Sequence, residues 1–128
     1  MGEYEDTLKD IEKTLGIIPG FMKALLPKMC LSMTTHYGSL GESKIPAKYR
    51  ELMGLSAAAN IKCPYCQLMH RGIAQLHGAT DEELSEVAYL ASLTSRWSAM
   101  IHAQNYDYDT FAKETDQIGK HLAKTLKK

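Results

Sequence analysis

The sequence predicts an all-α protein. Apolar residues recur at helical spacing along its length, no stretch alternates with the period of two that a half-buried strand needs, and Gly16, Pro19, Pro46, Pro64 and Gly78 stand at segment ends. Residues 6–15 form a short amphipathic segment stopped by Gly16. Pro19 opens a second segment, kinked or restarted at Pro27 and running to about Tyr37, and residues 38–44 are a loop. Residues 46–59 and 64–77 read as two helices separated by Asn60, Ile61 and Lys62, with Gly78 as the stop of the second. Thr80 and Glu83 have the spacing of a capping box, opening a long helix to about Gln104. That helix carries two apolar stripes, Leu84, Val87, Ala88 and Ala91 on one face and Leu90, Leu93, Trp97 and Met100 on another. Two stripes need two partners, so one is expected to pack on the preceding helix pair and the other on a second subunit. Residues 109–127 form the last helix, with Lys120, His121, Lys124 and Lys127 suited to its C-terminal dipole.

The chain has 128 residues, with 15 basic against 15 acidic side chains. This length suits one domain, residues 1–128, with a motif core of about 45–105. The charge balance gives no pull toward nucleic acid or an anionic membrane. No apolar run approaches the ~20 residues of a membrane span. The charged start lacks the regions of a signal peptide, so a cytoplasmic location is expected. Three cysteines do not make a secreted disulfide framework; in a reducing compartment a vicinal pair points to redox chemistry or metal binding.

The chemistry concentrates in Glu51, Cys63, Cys66 and His70, spaced Glu-x11-Cys-x2-Cys-x3-His. Pro64 at a first helical position makes Cys63 the expected N-cap and puts Cys66 in the first turn. Unpaired N–H groups and partial positive charge at that end favour thiolates, so both sulfurs are expected to titrate below the ~8.5 of a free cysteine. His70 follows Cys66 by four residues on the same helix face and can take its proton. If the two helices fold back antiparallel, Glu51, roughly 12 Å before the end of its helix, comes level with His70, roughly 10 Å beyond Cys63. The uncharged run from Leu52 to Ala59 suggests that Glu51 opens a buried stretch, where its carboxylate would fix the imidazole tautomer.

These residues, with Arg50-Glu51-Leu52, Ala57-Ala58-Ala59-Asn60, Cys63-Pro64-Tyr65-Cys66 and Gly78-Ala79-Thr80-Asp81-Glu82-Glu83, resemble the alkylhydroperoxidase D-like branch of the carboxymuconolactone decarboxylase family. The match covers roughly residues 45–105, with support from Leu15-Gly16-Ile17-Ile18-Pro19. The resemblance implies an all-helical homo-oligomer, a trimer or hexamer, whose dithiol reduces a hydroperoxide or exchanges with a partner disulfide. By position, Glu51, Cys63, Cys66 and His70 match the family's proton-relay residues. Tyr65 departs from the pattern, standing where the best-studied type carries a second histidine; its phenol is a candidate donor to a bound oxygen. No bound cofactor is expected, and an external dithiol or redox protein would supply electrons.

In the expected cycle Cys66 attacks first, being closer to His70, and Cys63 resolves; the reversed order stays open because Cys63 lies at the helix mouth. A redox adaptor serving a partner peroxidase would use the same dithiol. Structural zinc on Cys63, Cys66 and His70 needs a fourth ligand from Cys30, His36 or Glu51. A haem site would need histidine directly after Cys66, and a thioredoxin fold would need strands. Cys30 reads as a small buried hydrophobe, His77 as a terminal cap, and His102 as a supporting candidate facing the pocket.

Overall fold

Among the described residues, four helices are followed within two residues by one that turns the backbone left-handed. The computed structural model describes residues 2–23 and 44–126, which contain α1 (Glu3–Leu15), α2 (Gly20–Lys23), α3 (Ala47–Ile61), α4 (Pro64–Leu76), α5 (Asp81–Ala103) and α6 (Tyr108–Leu126), with no strand among the described residues. The expected kink at Pro27, the segment to Tyr37, most of the 38–44 loop, Cys30 and His36 lie outside the described residues. No helix among the described residues is long and apolar enough to cross a membrane.

The chain divides into two compact units, Met1–Ala47 and Lys48–Lys128. In the first, α1 begins three residues earlier than its sequence pattern suggests, buries Thr7 and Ile11 one turn apart, and ends at Gly16 with φ +80°. The Gly16 N–H donates to the Glu12 carbonyl at 2.8 Å, closing the left-handed cap that glycine enters without steric cost. Tyr4 Oη donates to the Lys23 carbonyl at 3.0 Å, tying α1 to the end of α2.

Three helix ends in the second unit share one motif. After α3, Lys62 (φ 60°) donates to the Ala59 carbonyl and Cys63 to the Ala58 carbonyl. After α4, Gly78 (φ 89°) and Ala79 donate to Gln75 and Ala74; after α5, Asn105 (φ 51°) and Tyr106 donate to His102 and Ile101. Each is a Schellman closure with one left-handed residue, and glycine is the inexpensive choice there. Lys62 takes the conformation with a Cβ, at a cost of about 1–2 kcal/mol. Lys62→Gly is therefore expected to stabilise the protein by up to about 1 kcal/mol, read as a higher denaturation midpoint; an unchanged or lower midpoint would contradict this account. The closure also corrects the expected break: Asn60 and Ile61 remain helical and the turn begins at Lys62.

Leu55 and Ala58 of α3, Ala74 of α4, and Leu84 and Ala91 of α5 are the buried apolar residues of this unit among those described. The three alanines among them suit close helix approach. The expected buried run from Leu52 to Ala59 is buried only at Leu55 and Ala58, while Met53 and Ala57 face outward, as an amphipathic helix requires. Two polar links fix α5 beside α3. At their starts Lys48 Nζ lies 3.0 Å from Glu83 Oε1, while Glu83 Oε2 accepts from the Thr80 N–H at 2.9 Å and Thr80 Oγ1 accepts from the Glu83 N–H at 3.1 Å. The Thr80 N–H and then Lys48 hold the Glu83 carboxyl below the usual carboxylate range. At the far end of α3, Asn60 Nδ2 donates to the Ser56 carbonyl at 3.1 Å and to the Ala91 carbonyl at 3.0 Å, and Asn60 Oδ1 accepts from Ser95 Oγ. Asn60→Ala removes this link three residues before the first site cysteine and is expected to cost about 1–2 kcal/mol in chemical denaturation.

The first stripe of α5 is buried at Leu84 and Ala91 and partly at Val87, whereas Ala88 is exposed. The second leaves Leu90, Trp97 and Met100 exposed. Asp107 caps α6 by accepting from the Thr110 N–H at 2.9 Å, so the helix begins one residue before Asp109. No residue of α6 is buried; Trp97 and Ile101 of α5, Tyr106, and Phe111 and Ile118 of α6 line a groove of about 290 Å³.

Candidate functional site

Cys63 closes α3 and opens α4 at the same time. Its N–H completes the Schellman turn to Ala58 at 3.0 Å, its extended backbone (φ −93°, ψ 104°) makes it the N-cap of α4, and its carbonyl accepts the Gln67 N–H at 3.0 Å. Pro64 at the first helical position supplies no N–H and is pre-set to the helical φ. The Cys63 sulfur takes the place usually held by a capping oxygen, accepting the Cys66 N–H at 3.2 Å.

The two thiols are free, both are partly buried, and their Sγ atoms lie 2.6 Å apart. Their ionisation is not shared equally. Cys63 is lowered from the ordinary thiol value, first by the Cys66 thiol, then by the Cys66 N–H, with a smaller contribution from the Tyr65 N–H, against the opposing effect of burial. Cys66 is raised, first because its own proton serves that sulfur–sulfur hydrogen bond, then by burial and by negative charge on Cys63. This corrects the expectation that both sulfurs are lowered: a single negative charge fits the helix mouth, and the second must form beside the first.

Further along the same two helices, His70 of α4 and Glu51 of α3 meet with Nδ1 and Oε2 2.6 Å apart. Their side chains are 28% and 14% exposed, so the pair is sheltered without being sealed from water. An ionised carboxylate only accepts, which assigns the proton to Nδ1 and leaves Nε2 as the basic atom of the neutral ring. His70 shares a helix face with Cys66, four residues before it. Gly54, one turn beyond Glu51, lies against the His70 ring, and a Cβ there would come within 2.7 Å of it. Sequence reasoning passed over this residue; its signal was a glycine inside a helix, three positions after a site carboxylate.

The other candidates separate from this group. Tyr65 is 84% exposed, so its phenol stands in solvent between the cysteines. His102 is exposed near the end of α5, with Nδ1 at 2.8 Å from the Ser98 carbonyl of its own helix. The bonds of its ring go to Ser98 of its own helix rather than to the site residues. Among the described residues no three Cys, His, Asp or Glu side chains gather closely enough to hold a metal ion. Cys30 and His36, named as fourth zinc ligands, lie outside them.

An all-α unit thus carries a dithiol at a helix mouth and a carboxylate–imidazole pair on the same two helices. Residues 29–106 match the family model described as carboxymuconolactone decarboxylase family, more than half of the chain, and the chain belongs to that family. In fold it is similar to a crystal structure of the alkylhydroperoxidase AhpD core from Rhodospirillum rubrum, with a TM-score of 0.72, 21% identity and 86% of each chain covered. A comparison with curated proteins gives no match.

Proposed function

We propose that the protein is a thiol-dependent peroxidase that reduces organic hydroperoxides through a Cys63–Cys66 dithiol and disulfide cycle. The observation that carries this reading is the pair of free sulfurs 2.6 Å apart at the N-terminus of α4, with the His70–Glu51 pair on the same hairpin. Family membership and the fold shared with a protein titled alkylhydroperoxidase support it.

In the proposed cycle the Cys66 proton passes to His70 Nε2, and Glu51 stabilises the imidazolium. The Cys66 thiolate attacks the distal peroxide oxygen, the O–O bond breaks, and the departing alkoxide takes the proton from His70 to leave as the alcohol. The product is a sulfenic acid on Cys66. The Cys63 thiolate attacks that sulfur, hydroxide leaves and is protonated to water, and the disulfide forms. The unequal ionisation suits these roles. Cys63, the more readily ionised thiol, resolves, while Cys66, with the higher pKa, gives the intrinsically stronger nucleophile once His70 removes its proton. An external dithiol or redox protein reduces the disulfide.

The test is anaerobic titration of reduced protein with an organic hydroperoxide, followed by intact mass and peptide mapping. Fast stoichiometric formation of the Cys63–Cys66 disulfide is the expected result; absent or slow oxidation would defeat the reading. The lowered thiol adds a pH prediction. Alkylation of Cys63 is expected to rise with pH through a midpoint below that of an ordinary thiol, because the reactive form is the deprotonated one. In Cys66→Ala the midpoint should move up, since the largest lowering influence is removed; an unmoved midpoint would show that the N–H groups suffice.

A second reading, a redox adaptor for a partner peroxidase, is favoured by exposed Tyr65 and Leu68 beside the dithiol, an apolar surface suited to a protein substrate. Rapid disulfide exchange without useful peroxide oxidation would select it. We further propose a cytoplasmic homo-oligomer, a trimer or hexamer, in which the exposed second stripe of α5 and the apolar face of α6 are covered by other copies. Sedimentation showing only monomer would defeat that assembly.

A further inference from the structure

We propose that Gly54 is a positioning residue of the site, its missing side chain forming the slot that seats the His70 imidazole against Glu51. This proposal rests on the peroxidase reading for its kinetic consequence alone. A Cβ on residue 54 would stand 2.7 Å from His70 Nδ1, 2.7 Å from Cε1 and 2.8 Å from Nε2. Near-equal distances to three atoms of a flat ring mean that the imidazole lies with its face against the α3 backbone at Gly54. The ring cannot yield as the end of a long chain would, because Nδ1 is held by Glu51 at 2.6 Å and imidazole has only two side-chain torsions. Regaining ordinary contact requires a shift of roughly 0.7 Å or more, which lifts the ring out of line with the Glu51 carboxylate and bends that hydrogen bond.

Position in the helix makes the glycine informative. Glu51 and Gly54 are three residues apart, hence neighbours on one face of α3, so carboxylate and slot grip the ring together. Alanine is much the better residue inside a helix, so helix propensity alone predicts that Gly54→Ala stabilises the protein. The slot predicts the opposite sign. Gly72 of α4 provides the contrast: it is also helical, and nothing stands within 4 Å of where its Cβ would lie.

The experiment compares Gly54→Ala, Gly72→Ala, His70→Ala and the double variant Gly54→Ala/His70→Ala by thermal melting, with ring-nitrogen NMR of His70 and hydroperoxide kinetics wherever the histidine is present. Gly54→Ala is expected to lower the melting temperature, shift the His70 ring from the Nδ1–H toward the Nε2–H tautomer, and reduce peroxide kcat/KM about tenfold or more. With His70 reduced to alanine the same substitution should raise the melting temperature, because the ring that conflicts with the methyl is gone. Gly72→Ala should leave tautomer and kinetics unchanged. If Gly54→Ala does not fold, the double variant still decides: a folded double variant supports the slot, and an unfolded one overturns it. An unchanged Nδ1–H tautomer, or a melting temperature raised in both backgrounds, also overturns it. If the parent protein does not reduce peroxide, the functional reading fails, while the tautomer and melting comparisons still judge Gly54.

Discussion

Cys66→Ser is expected to abolish hydroperoxide turnover, with a loss of roughly a thousandfold or more in kcat/KM. The substitution is almost isosteric, but a serine hydroxyl is not appreciably ionised at neutral pH and is a poor nucleophile toward peroxide oxygen, whereas a thiolate attacks it directly. His70 offers a base to either residue; only the thiol is acidic enough to use it. Cys63→Ser should behave differently. It leaves the attacking sulfur in place, so one equivalent of peroxide is consumed and a sulfenic acid accumulates on Cys66, where a dimedone-type reagent captures it. Turnover then stops for want of a resolving thiol. Capture on Cys63 in Cys66→Ser, with none on Cys66 in Cys63→Ser, would reverse the order of attack. The lowered pKa of Cys63 makes that comparison necessary, since the sulfur that ionises more readily and the sulfur that shares a helix face with His70 are different ones.

His70→Ala is expected to reduce kcat/KM for hydroperoxide by about 10²–10⁴-fold, the range of a positioned acid–base group. The loss falls on both halves of the first step, because the same nitrogen takes the Cys66 proton and returns it to the leaving alkoxide. Glu51→Gln should approach that deficit without removing the imidazole. An amide that turns its NH2 toward Nδ1 forces the proton to Nε2, and one that turns its oxygen keeps the tautomer but no longer stabilises the imidazolium. The double variant is expected to be little worse than His70→Ala, since Glu51 acts through the ring. Additive losses would mean that Glu51 has a separate role, and a Glu51→Gln protein with full activity would remove the carboxylate from the mechanism.

Much of the local architecture was legible because its causes are local. Gly16 and Gly78 mark helix ends through the one backbone conformation that glycine enters freely, and Thr80 with Glu83 closes a capping box within four residues. Pro64 places Cys63 at a helix mouth for similar reasons. Lys62 makes the same left-handed turn as Gly78, yet lysine does not announce it, so the end of α3 was expected two residues early. Asn60 looked like a helix breaker because its propensity is poor; the bonds it makes to Ala91 and Ser95 lie 31 and 35 residues away, beyond any local signal. His102 was grouped with the site by residue type, and its ring bonds Ser98 of its own helix.

The sequence by itself determined the helical class, most helix ends, the N-cap position of the dithiol, and the helical arithmetic by which Glu51 can come level with His70. The tertiary structure decided the 2.6 Å contact between that pair, the slot over Gly54, the unequal division of ionisation between two adjacent sulfurs, and which stripe of α5 is covered. The physical reason is the range of the forces involved. Propensity, capping and dipole effects act within a turn or two of one chain segment, whereas a contact, a steric slot and the ionisation of coupled groups depend on atoms that only packing brings within a few ångströms.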